Sequence, residues 1–116
     1  MAAYLDIPIE QGATFTLDIS VTDENGDAID LTGYTARMSI KRDSRETAAL
    51  LELTTANGRI IITAASGLVT LVLTAAETAA ISTWQRGVYD LELVSGGGTV
   101  TRLCEGAVTL LAEVTA

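Results

Sequence analysis

Apolar and polar residues alternate along several segments of the chain. From Thr14 to Thr22 the odd-numbered positions are apolar and the even-numbered ones are polar, and the same period of two recurs at 35–41, 68–73 and 88–94. Such alternation is typical of a strand with one face in a core and the other in water. These four segments therefore predict antiparallel β-structure.

Four further segments complete the predicted strands, at 50–54, 59–63, 99–105 and 107–114. The run from Ile60 to Ile62 is apolar at every position, which predicts a strand that is covered on both faces. Gly106 interrupts the last alternating pattern and is expected to mark a β-bulge. Pro8, the only proline, lies outside every predicted strand.

Turn and capping residues separate the predicted strands. Gly26 and Gly58 each follow an asparagine, and both residue types tolerate the positive φ of tight turns. Thr74 and Glu77 have the spacing of a helix capping box, which predicts one short helix over 75–81. About eight short strands and one helix predict a single all-β domain over residues 1–116, an immunoglobulin-like antiparallel β-sandwich.

The charge balance narrows the classes of partner. The chain has 15 acidic and 7 basic residues and a formal net charge of −8. Binding to nucleic acid or to an anionic membrane surface requires clustered Lys and Arg, so neither partner is expected. No signal peptide and no apolar run long enough to span a membrane is recognisable, so we expect the protein to be made and kept in the cytosol.

The residue inventory argues against an enzyme and against a cofactor. Histidine is absent from the sequence, which removes the commonest general base and the commonest metal ligand. Cys104 is the only cysteine and is expected to be a packed thiol. Asp90 and Glu92 share one strand face and are interpreted as a solvated acidic stripe. The glycines at 96–98 precede a strand and indicate a hairpin tip, since a phosphate loop precedes a helix.

One segment has part of the pattern of a calcium loop. Asp23, Asn25 and Asp27 have its first three ligand spacings, whereas Ala28 and Tyr34 stand where a glycine and a glutamate are required. An ordinary turn is the preferred interpretation. Weak calcium binding stays open as the alternative.

Three residues are candidates for a protein interface: Trp84, Arg86 and Tyr34. Tryptophan and arginine are enriched at the energetic centres of interfaces. The alternative for Trp84 is a structural one, in which its ring covers one end of the sandwich core.

The segment from Phe15 to Lys41 resembles the opening of small β-sandwich modules in structural proteins of tailed bacteriophages and prophages. Such modules include the N-terminal module of baseplate upper proteins. The shared features are an alternating strand, a turn at Asp23–Gly26, an Asp-Leu-Thr-Gly corner at 30–33 and a second alternating strand. The segments at 67–71, 74–78 and 87–93 are similar to the second half of the same modules.

The resemblance implies a virion structural protein, associated with the tail or baseplate, that acts as a non-catalytic assembly or adaptor module. Its partners would be other virion proteins and further copies of itself, as a homo-oligomer. Its location would be the bacterial host cytoplasm during assembly and then the virion. A carbohydrate- or surface-binding β-sandwich module is the alternative function.

Overall fold

Two β-sheets pack face to face in the computed structural model, which describes residues 3–43, 45, 47–81 and 86–112. The major sheet contains six strands: β1 (Ala3–Tyr4), β2 (Ile7–Glu10), β4 (Thr35–Lys41), β5 (Leu51–Thr54), β8 (Arg86–Val94) and β9 (Val100–Leu111). The minor sheet contains three: β3 (Phe15–Ser20), β6 (Ile60–Thr63) and β7 (Leu68–Leu73). A 3₁₀ turn (Ala64–Ser66) precedes β7, and the short helix α1 (Ala75–Ala79) follows β7. The predicted all-β sandwich with one short helix is confirmed.

The strand order is that of an immunoglobulin-like sandwich. In the major sheet β9 pairs with β8, β8 with β4 and β4 with β5, while β1 and β2 lie along the outer edge of β9. In the minor sheet β7 lies between β3 and β6. The strands β3, β7 and β6 occupy the places of strands B, E and D of the immunoglobulin topology, and β4, β8 and β9 those of C, F and G.

The core lies between the two sheets and follows the alternation in the sequence. The inward side chains of β4, β7 and β8 are at most 4% exposed: Ala36, Met38, Ile40, Val69, Leu71, Leu73, Tyr89, Leu91 and Leu93. The prediction that β6 is covered on both faces is wrong, because the Ile61 side chain is 51% exposed. The minor sheet has the core on one side only, so the outward side chain of β6 meets solvent.

The N-terminal strands β1 and β2 were not predicted, and they run parallel to β9. The sandwich is therefore not wholly antiparallel. Pro8 lies within β2, contrary to the prediction, and is exposed. Proline cannot donate to a hydrogen-bond ladder, so a place on an edge strand suits it. Two inward residues in this short segment, Ile7 and Ile9, join the core.

β9 is one continuous strand, where two strands separated by Gly106 were predicted. Its hairpin with β8 turns at 95–98 as predicted, since the Ser95 amide donates to the Thr99 carbonyl at 2.9 Å. The bulge lies elsewhere: Leu91 pairs with Cys104 and Glu92 with Arg102, so Leu103 is the extra residue.

Gly106 serves a different purpose, because it faces the break between β1 and β2. A Cβ atom at this position would come within 2.8 Å of the Leu5 carbonyl carbon. At the same break, the Asp6 carboxylate accepts a 3.0 Å hydrogen bond from the Ala107 amide. The glycine thus permits the close approach of the N-terminal segment to β9.

The helix has the predicted capping box but ends at Ala79, two residues earlier than predicted. Thr78 is fully buried, and its hydroxyl donates to the Ala13 carbonyl at 2.8 Å and accepts from the Gly12 amide at 3.0 Å. These bonds fasten α1 to the turn that joins β2 to β3.

Replacing Gly106 with alanine should destabilise the fold. The added methyl group meets the Leu5 backbone, and relieving an overpacked contact of this kind costs about 1–3 kcal/mol. Urea unfolding of Gly106→Ala measures the loss. The matched control is Gly97→Ala at the hairpin tip, where the nearest atom is 3.9 Å away and the change should stay within about 0.5 kcal/mol. Equal stabilities for the two variants would contradict this account of Gly106.

Candidate functional site

A groove with a volume of about 630 Å³ lies on the outer face of the major sheet. Small side chains make its floor, namely Ser39, Val88, Gly106 and Ala107. Longer side chains surround them on neighbouring positions: Tyr4, Lys41, Arg86, Glu92, Arg102 and Glu105. The contrast in side-chain length on one pleated surface creates the groove.

Charged residues form two rows across the sheet at one end of the groove. The first row follows the strand register across β1, β9, β8, β4 and β5 and contains Tyr4, Glu105, Asp90, Ser39 and Glu52. The second row contains Arg102, Glu92 and Arg37. A mainly acidic row therefore lies beside a row of alternating sign, and opposite charges across neighbouring strands attract.

One ion pair forms within the second row, and two others connect the second row to the first. Within the second row, Arg37 Nε lies 2.8 Å from Glu92 Oε1. Between the rows, Arg102 Nη2 lies 3.5 Å from Asp90 Oδ2, and Arg102 Nη1 lies 3.2 Å from Glu105 Oε1. The predicted acidic stripe of Asp90 and Glu92 is thus paired with arginines. Because these side chains are partly exposed, each pair adds little to stability. They place both signs of charge side by side on the surface.

The opposite end of the groove is basic. Lys41 and Arg86 line it, and neither forms an ion pair with a described residue. An acidic group of a partner could therefore pair with Lys41 or Arg86 at this end. At the other end it would meet carboxylates that already pair with arginines.

The structure does not bring the predicted interface residues together. Arg86 lies in the groove at the start of β8. Tyr34 is half-buried against the core just before β4, whose first residue, Thr35, faces Val94 at the far end of β8. Eight residues of extended strand separate these ends by ~26 Å. Trp84 lies outside the described residues.

Two titratable groups are buried behind the groove. Burial, and next the neighbouring Cys104 thiol, raise the pKa of Tyr89 above its ordinary value, and burial raises the pKa of Cys104. The Tyr89 hydroxyl donates a 2.6 Å hydrogen bond to the Leu5 carbonyl. Cys104 is a packed thiol, as predicted. Both groups stay protonated at neutral pH, and the Tyr89 hydroxyl attaches the residue that follows β1 to β8.

Two carboxylates with a lowered pKa stabilise backbone structure. Hydrogen bonds from the Thr32 hydroxyl and amide lower the pKa of Asp30. The bond from the Thr74 amide, and next the one from Arg59, lower the pKa of Glu77. Arg59 also donates to the Glu52 carbonyl at 2.9 Å, so it connects α1 with β5.

The segment with the partial calcium pattern is an Asx turn. The Asp23 carboxylate accepts hydrogen bonds from the amides of Asn25, at 2.9 Å, and Asp27, at 3.0 Å. Gly26 has the positive φ that the turn requires. Among the described residues, no group of three or more His, Cys, Asp or Glu side chains is arranged to hold a metal ion.

Comparison with models of protein families and with curated proteins found no match to this chain. In the part of the chain that the structure describes, no helix is long and apolar enough to cross a membrane.

The charge of Glu77 should make stability depend on pH. Its pKa is lowered from 4.5 by folding, so its stabilising effect is complete well above pH 4.5 and is lost as the pH falls towards the lowered value. Glu77→Gln keeps a capping side chain but loses the charge beside Arg59. We expect its melting temperature to be about 2–4 °C below that of the wild type at pH 7, and we expect a smaller difference at pH 3.

Thermal unfolding at both pH values tests this expectation. Glu24→Gln, an exposed residue of the Asx turn, makes the same charge change and serves as the control. A difference at pH 3 as large as that at pH 7 would show that the Glu77 charge has no part in it.

Proposed function

We propose that this chain is a structural protein of a tailed-bacteriophage or prophage virion, associated with the tail or baseplate. It acts as a non-catalytic assembly or adaptor module and contacts other virion proteins and further copies of itself. It is assembled in the bacterial cytoplasm and then resides in the virion. The charged groove of the major sheet is the observation on which this proposal depends.

The groove has the properties of a protein-docking surface. It is wide and open, and it presents both signs of charge side by side. At its basic end, Lys41 and Arg86 form no ion pair with a described residue. Charge arranged in this way favours one orientation of a partner and discourages others.

The segments that resemble phage modules have structural roles that support the proposal. The Asp-Leu-Thr-Gly corner joins the two sheets: Leu31 is 1% exposed, and its amide donates to the Ala64 carbonyl beside the minor sheet at 3.0 Å. Gly33 has a φ of +83°, which leads the chain into β4. The corner is thus part of the architecture rather than a surface decoration.

The titratable groups with an altered pKa support a non-catalytic role. Tyr89 anchors β1, Cys104 packs behind it, Asp30 caps the corner and Glu77 caps the helix. Among the described residues, each group with an altered pKa is accounted for by a contact that stabilises the fold.

Particle association tests the proposal. In lysates of the bacterium that carries the gene, we expect the chain to sediment with nuclease-resistant particles and to remain with them after washing. Lys41→Glu combined with Arg86→Glu should reduce incorporation at least about tenfold, because reversing two cations at a docking surface opposes the partner charge.

The control variant is Arg42→Glu combined with Arg45→Glu. It makes the same change in net charge in the loop after β4, outside the residues that line the groove. It should be incorporated like the wild type. A chain found only in the soluble fraction would contradict the proposed function, and equal incorporation of both variants would remove the groove from it.

The alternative of a carbohydrate- or surface-binding module is favoured by one observation. Tyr4 is 71% exposed at the wall of the groove, next to Glu105. An aromatic ring beside carboxylates offers stacking and hydrogen bonds to a sugar. If this is the function, Tyr4→Ala should weaken binding to cell-surface polysaccharide about tenfold in calorimetry, and Leu111→Ala, also exposed but outside the groove, should not.

A further inference from the structure

The strand β3 has an open edge. Its partner among the described strands is β7, with Thr16 opposite Val72. The Val72 amide donates to the Arg59 carbonyl, on the side of β7 away from β3, at 2.8 Å. Since peptide groups alternate in direction along a strand, Thr16, Asp18 and Ser20 direct their N–H and C=O groups towards the open edge. Such a row of groups is a template for another strand.

Apolar surface accompanies this edge. The inward side chains of β3 are only half-buried, whereas those of the neighbouring β7 are 0% exposed. A cleft of about 310 Å³ opens between β2 and β3, with Leu5, Pro8, Phe15 and Leu17 in its lining. A strand added beside β3 would cover these residues with every second side chain.

The charged side chains near the open edge of β3 are acidic, and they favour a partner with basic residues. Asp6 and Glu10 line the cleft, Asp18 projects from β3, and neither Lys nor Arg is among the residues that line it. Two copies of this chain joined edge to edge would bring six carboxylates together and repel each other. A segment carrying Lys or Arg would instead be attracted.

We propose that the open edge of β3 binds an extended segment of a partner protein, in which apolar residues alternate with Lys or Arg. The segment adds a fourth strand to the minor sheet, and its apolar side chains fill the cleft. Its cations project from the opposite face, on which Asp18 lies, while Asp6 and Glu10 beside the cleft add to the attraction. This inference rests on the proposed function and gives the chemistry of one partner. With the groove on the other sheet, the chain then has two separate contact surfaces.

Hydrogen exchange with a defined probe tests the inference. The probe is a synthetic nine-residue peptide of alternating lysine and valine, added to the intact chain and followed by NMR. The amides of Thr16, Asp18 and Ser20 should exchange rapidly in the free chain and at least about tenfold more slowly with the peptide bound. The amides of Leu17 and Ile19, already directed at β7, should change little.

Variants of the chain separate pairing from simple charge attraction. Thr16→Pro removes an outward N–H without breaking the β3–β7 ladder and should weaken peptide binding about tenfold. Asp18→Asn keeps the 2.7 Å contact with the Thr70 hydroxyl and should weaken it about threefold. Asp27→Asn in the Asx turn is the control with unchanged affinity. Circular dichroism verifies the fold of each variant. If Thr16→Pro does not fold, the peptide affinity of Asp18→Asn is the measurement that tests the inference.

Three outcomes would overturn the inference. In the first, the three amides gain no protection at saturating peptide. In the second, a peptide of alternating glutamate and valine protects them equally, which removes the charge argument. In the third, they are already protected in a dimer detected by light scattering, so the occupant is a second copy. Each outcome is independent of particle association, so a failure here leaves the proposed function standing.

Discussion

The parallel pairing of the N-terminal segment with β9 is the constraint on which the other features depend. It inserts Ile7 and Ile9 into the core, and it places Tyr4 at the wall of the groove. It also keeps this segment on the major sheet, so that no other described strand lies on the outer side of β3. The pairing itself depends on Gly106, which allows the Leu5 carbonyl to approach, and on the Tyr89 hydroxyl that binds this carbonyl.

Much of the fold could be predicted because alternation reports directly on burial. The strands β4, β7 and β8 and the capping box of α1 lie where the pattern of residues 35–94 placed them. β2 could not be predicted, because four residues that include a proline give too short a pattern to distinguish a strand from a loop. The prediction for Gly106 was wrong because a glycine in a strand marks either a bulge or a close approach of another backbone. Only the position of Leu5 distinguishes the two.

The candidate surfaces were harder to predict than the fold. Arg86, which was chosen for its residue type, lines the groove, whereas Tyr34 lies at the far end of the sheet. The groove depends on small side chains in one strand facing small side chains in the next, and that requires the register between β8 and β9. The bulge at Leu103 shifts this register by one residue, and the local sequence has no residue pattern that predicts the bulge. The open edge of β3 likewise follows from strand order, which the alternation within β3 does not encode.

The parallel direction of β2 and β9 also determines how the domain would respond to mechanical load. Ala3 lies level with Cys104, while β9 continues to Leu111, so the start of β1 and the end of β9 lie at opposite ends of this parallel pair, ~23 Å apart along the strands. Tension applied between them acts along the strands and loads the hydrogen bonds of the β2–β9 ladder together, in shear. An antiparallel pair pulled from one end would instead open one bond at a time. The geometry of this domain therefore resists extension along its length.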